Sequence, residues 1–148
     1  MPKNKARLRF ACEVARIDPD RFNEAVAAGS YPCAPPTSER KPRIFTIHDM
    51  IVLCIYGELL GDGMPPAAAG PWACAMGEVL ANHPETAAVT SAKFSNGARW
   101  NLPVENVNLD ATSSGIGDLL SYKVWKIAPY RKRVEDALAE ADEIAGDE

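Results

Sequence analysis

Apolar residues in the first thirty positions fall into two short helical stripes. Leu8, Ala11, Cys12 and Ala15 repeat at the i, i+3, i+4, i+7 spacing of one helix face, and Phe10 and Val14 widen it. The run stops at Ile17-Asp18-Pro19, where Asp18 can cap a new helix and Pro19 can take its first position. Pro19 to Ala28 then predicts a second helix, with Phe22, Ala25 and Val26 inward, Asp20, Arg21, Asn23 and Glu24 outward, and Gly29 as the stop. Two short helices joined by about three residues make a helix-turn-helix unit.

The next segment is proline-punctuated. Pro32, Pro35, Pro36 and Pro42 surround the turn residues Thr37-Ser38, and Tyr31-Pro32-Cys33-Ala34 with Arg43-Ile44-Phe45 predicts a short two-stranded ribbon whose tip carries Arg40 and Lys41. Thr46 or His48-Asp49 starts a third helix with Ile51, Val52, Ile55, Tyr56 and Leu59 on a broad apolar face, ending at Gly61-Asp62-Gly63. A fourth helix is expected over 66–82, with Pro71 inside it as a start or a kink. Asn96-Gly97 between the strand-like runs 88–94 and 98–102 predicts a hairpin. Val104 to Leu109 reads as an extension of its second strand, 111–117 as a loop, and 122–127 as a further strand. A last helix begins at Pro129 or Tyr130 and runs to Gly146 on Val134, Ala137, Leu138, Ala141 and Ile144. The expected class is α+β: a winged helix-turn-helix domain over 1–83, with a β-hairpin and helix extension over 84–148 for dimerisation or partner binding.

Charge divides the chain in the same direction. The net charge is −4, yet residues 1–45 hold nine basic and five acidic groups, a surplus of +4, against seven and fifteen in the remainder, a deficit of −8. That asymmetry suits a basic face on phosphates with an acidic remainder turned away. No apolar run approaches the roughly 20 residues of a membrane span, and no apolar core follows Lys3, Lys5, Arg7 and Arg9, so a cytoplasmic protein with no membrane partner is expected. Cys12, Cys33, Cys54 and Cys74 lie about 20 residues apart without a CxxC pair, which predicts buried free thiols rather than a metal site.

Catalytic chemistry is not expected. His48 beside Asp49 and His83 beside Pro84 sit at helix ends, where capping explains them, and no phosphate-binding glycine loop, HExxH or GxSxG motif occurs. Gly61-Asp62-Gly63 lacks the Lys-Ser/Thr partner of a nucleotide loop and reads as a helix stop. The expectation is therefore a non-enzyme with no cofactor.

Residues 8–80 resemble the DNA-binding module of the MerR family of transcriptional regulators. The resemblance lies in the order of parts: the helix-turn-helix at 8–28, a wing closing in Arg43-Ile44-Phe45-Thr46, Asp49 opening the next helix, and Leu59-Leu60-Gly61-Asp62-Gly63-Met64 leading to the helix after it. Phage excisionases share this module. The chain departs from the family in having Asn23-Glu24-Ala25 where an Arg-Tyr-Tyr-like run is usual, and in lacking the long C-terminal dimerisation helix. The resemblance implies sequence-specific binding of double-stranded DNA by a transcriptional regulator, acting as a homodimer. The side chains agree with it: Asp20, Arg21 and Asn23 can exchange hydrogen bonds with base edges, Arg21 and Asn23 foremost, while Arg16, Arg40, Lys41 and Arg43 suit phosphate. Two alternatives compete: a protein-interaction module, such as a phage-encoded inhibitor or adaptor using the acidic second half, and an excisionase-like architectural DNA binder.

Overall fold

The computed structural model describes residues 4–38, 40–110, 112–113 and 117–141. In chain order the elements are β1 (Lys5–Arg7), α1 (Leu8–Ala15), α2 (Pro19–Ala27), β2 (Ile44–Thr46), α3 (Ile47–Gly61), α4 (Pro66–Asn82), β3 (Ala88–Phe94), β4 (Arg99–Pro103), a single 3-10 turn (Val104–Asn106), β5 (Thr112–Ser113), β6 (Gly117–Lys126) and α5 (Ile127–Ala139). The class is mixed α+β. β1 and β2 form a small antiparallel sheet, and a second antiparallel sheet has the order β4-β3-β6-β5.

Two of the helices, α2 and α3, begin at side-chain caps that satisfy N–H groups of the first turn. Asp18 accepts the Asp20 N–H and Pro19 follows it, so α2 opens with a cap and a residue that has no N–H to satisfy. Thr46 and Asp49 exchange side-chain and backbone bonds at 3.1 and 3.0 Å, a reciprocal capping box that starts α3. From Met50 to Tyr56 α3 is apolar on every side, and these residues and Leu59 are all buried. A helix with no polar face has to be surrounded, and α1, α4, α5 and β2 pack around this one. One cluster of buried residues runs from Ala6 through α3 to Leu138.

The hairpin expected around Asn96-Gly97 is present, with Gly97 at φ 91° in the turn. The inner face of its sheet meets α4 through Trp125, whose ring lies 6.1 Å from that of Trp72, with the Arg99 guanidinium 5.4 Å from the Trp72 ring. Lys123 reaches across to Asp62 at the end of α3, 2.9 Å away. The register puts Trp100, Tyr122 and Val124 together on the opposite, outer face, where each is well exposed.

Several expectations need correction. Tyr31–Ala34 is not a strand: Pro32, Pro35 and Pro36 remove the donors a ladder needs, and Ile44–Thr46 pairs instead with Lys5–Arg7. The ribbon shrinks to one bridge between Ser38 and Lys41, tightened by a bond from Thr37 Oγ1 to the Lys41 carbonyl. Past Pro103 the chain coils into the 3-10 turn rather than extending β4, and Glu105 there accepts from Thr86 at 2.7 Å, which holds its carboxyl below the ordinary range. β6 begins at Gly117, before the alternation at Tyr122, and α5 begins at Ile127, before Pro129. Thr112–Ser113 forms a short strand within the expected loop, and the last helix stops at Ala139 with Glu140 closing it, short of Ala141; Ile144 and Gly146, where it was expected to continue, lie outside the described residues. Cys33 and Cys74 are not free thiols but a disulfide tying the proline-rich connector to α4. Cys12 and Cys54 are buried free thiols, as expected. Burial, aided by Asp18, pushes the Cys12 thiol up to about 12, and burial raises that of Cys54.

α4 approaches the connector so closely that only glycine fits. A Cβ on Gly70 would lie 1.7 Å from the Ser30 carbonyl oxygen, whereas one on Gly61 would meet nothing within 4 Å. The same substitution should therefore have opposite signs at the two sites. Gly70→Ala is expected to lower unfolding free energy by about 1–3 kcal/mol through forced displacement of backbone, and Gly61→Ala to raise it by up to about 1 kcal/mol through helix propensity. Urea denaturation of the two variants measures this, and equal signs would refute the close approach.

Candidate nucleic-acid interface

The polar outer face of α2 follows from its inner one. Phe22 and Ala25 are buried, which leaves Asp20, Arg21, Asn23 and Glu24 exposed on a two-and-a-half-turn helix. Phe22 is held by rings from three other parts of the chain. Its centroid lies 5.0 Å from Tyr31 in the connector, 6.1 Å from Phe45 in β2 and 6.4 Å from Tyr56 in α3, and Tyr31 and Tyr56 are 4.9 Å apart. Tilted and edge-on contacts of this kind add roughly 0.5–1.5 kcal/mol per pair beyond area burial. The cluster fixes α2 relative to the strand that leads back from the tip. Burial and the nearby Asp49 both keep the Tyr31 hydroxyl protonated.

The other expected contact residues divide into two groups. Arg16, Arg40 and Lys41 are exposed. Arg43 is half-buried and donates from Nη1 to the Pro35 carbonyl, so its guanidinium braces the connector. Arg21 is extended into solvent, with Nε at 4.0 Å from the Asp18 carboxylate, a distance at which an exposed pair holds little. Arg16 closes α1 with φ 61°, a left-handed conformation that glycine adopts freely and other residues adopt at about 1–2 kcal/mol.

Sequence reasoning missed the contribution of β1. Pairing of Lys5 with Thr46 and of Arg7 with Ile44 sets two further basic residues beside the strand that follows the tip. The alternation Lys5-Ala6-Arg7, with Ala6 wholly buried, is its trace in the sequence. Arg131-Lys132-Arg133 on α5 is a further basic run, and two of its members have partners within the chain: Lys132 pairs with Asp136 at 2.8 Å, and the Arg133 guanidinium lies 5.8 Å from the Tyr130 ring. Among the described residues no group of three or more His, Cys, Asp or Glu could hold a metal ion.

No protein-family model matches the chain, and no curated protein matches it by sequence.

The arrangement separates side chains that hold the fold from side chains free to recognise something else. Phe22→Ala should cost about 3–5 kcal/mol of stability, while Arg21→Ala and Asn23→Ala should each stay within about 0.5 kcal/mol of the parent. Thermal and urea unfolding of the three variants checks this, and a large loss at Arg21 or Asn23 would make those residues structural.

Proposed function

We propose that this chain binds double-stranded DNA sequence-specifically, as a transcriptional regulator of MerR-like winged helix-turn-helix type. The observation that carries the reading is the outer face of α2, where Asp20, Arg21 and Asn23 stand exposed on a helix whose inner face is locked by aromatic rings. In this reading α2 enters the major groove, with Arg21 and Asn23 on base edges and Asp20 beside them. Arg16, Arg40 and Lys41 contact phosphate, with Lys5 added from β1, and Arg43 orients the tip while lying close to the backbone. The succession of α1, α2, the Arg40-Lys41 tip and the capped α3 supports the same reading, with the tip closed by a single bridge in place of a two-stranded wing. The proposal needs no cofactor and no catalytic step, and a homodimer would double a modest set of phosphate contacts.

A second reading is favoured by one observation. Trp100, Tyr122 and Val124 form an exposed row on the outer face of the larger sheet, and aromatic residues of this kind anchor protein partners. A protein-interaction module, such as a phage-encoded inhibitor or adaptor, would use this second half and would leave DNA alone.

Fluorescence anisotropy with a labelled random-sequence duplex separates them. The DNA reading predicts binding that weakens steeply with salt, and a log–log salt slope lowered by roughly 2 in the Arg40→Ala/Lys41→Ala variant. An unchanged slope, or no binding by the parent at low salt, contradicts it.

A further inference from the structure

A cleft of about 500 Å³ opens between the connector, the start of α3 and the middle of α4. Tyr31, Phe45 and Val52 supply an apolar wall, and Asp49 and Glu78, with His48, supply the polar groups. The Cys33–Cys74 disulfide lies in its lining and holds the connector and α4 walls together. No lysine or arginine lines it among the described residues.

We propose that this cleft is a binding site for a small organic cation: an ammonium or amidinium group carried on an aromatic or aliphatic body. The volume falls in the range of small-molecule sites, which are largely apolar with a few polar groups that orient the ligand. Two carboxylates and no lysine or arginine in the lining favour a positive ligand, while Tyr31, Phe45 and Val52, themselves almost wholly buried, back the cleft with apolar surface for its body. The start of α3 could by itself attract an anion through the helix dipole, but Asp49 already occupies that position. Its Oδ2 accepts the Thr46 N–H at 3.0 Å, and this bond holds the carboxylate in place at the cleft. A carboxylate can accept several hydrogen bonds at once, so capping leaves capacity for a ligand N–H. Glu78, on the exposed side of α4, supplies the second acceptor without being needed to hold the fold. The inference does not depend on DNA binding.

The test is an NMR titration of the ¹⁵N-labelled full chain with three probes sharing one phenyl frame: phenethylammonium, 2-phenylethanol and phenylacetate. The amides of Val52, Ala75, Gly77 and Ala81 report on the cleft. Phenethylammonium is expected to shift them saturably, the alcohol to bind about tenfold more weakly, and the carboxylate more weakly still. Glu78→Gln should weaken the ammonium about threefold and leave the alcohol unchanged, with the rest of the spectrum intact. The proposal is overturned if no localised shift occurs up to about 20 mM ammonium, if the alcohol or the carboxylate binds as well, or if Glu78→Gln leaves the ammonium affinity unaltered.

Discussion

Burial of α3 on all sides is the constraint from which the other contacts follow. From Met50 to Tyr56 each turn of this helix presents apolar side chains in every direction, so none of its faces can be left to water. α1, α4, α5 and β2 each cover part of it, and most of their stability as helices and strands comes from that covering rather than from intrinsic propensity. β1, at three residues, is too short to persist alone. It is held because β2 is anchored by Phe45 and continues directly into the capped start of α3.

The aromatic cluster extends this constraint to the candidate interface. Phe22, Tyr31, Phe45 and Tyr56 come from α2, the connector, β2 and α3, so one group of rings joins the exposed face of α2 to the segment bearing Arg40 and Lys41. The connector is tied a second time by the Cys33–Cys74 disulfide and a third by the contact of Gly70 with the Ser30 carbonyl. The candidate interface, one short helix and one loop, is positioned by these ties.

What was legible in the sequence is what local chemistry decides. Asp18-Pro19 and Asn96-Gly97 each signal a boundary through bonds within a few residues, and the start of α3 is legible as Thr46 or His48-Asp49, a choice the folded capping box settles at Thr46; α2, α3 and the β3–β4 hairpin stand accordingly. Long-range pairing was not legible. A three-residue strand such as Lys5–Arg7 carries too little alternation to announce its partner about forty positions away, and the 41-residue separation of Cys33 from Cys74 matches no spacing rule. The polar row of α2 could be read from period alone. The bracing role of Arg43 and the proximity of Lys5 and Arg7 depend on pairings only the folded chain provides.

Whether the outer face of α2 reads DNA sequence, as proposed, is decided by selecting duplexes from a random-sequence pool on the full chain. The parent is expected to enrich a discrete sequence, and the Arg21→Ala/Asn23→Ala variant, expected to keep the fold, to lose that enrichment. A pool that stays random over successive rounds, or the same sequence recovered by parent and variant alike, would contradict it.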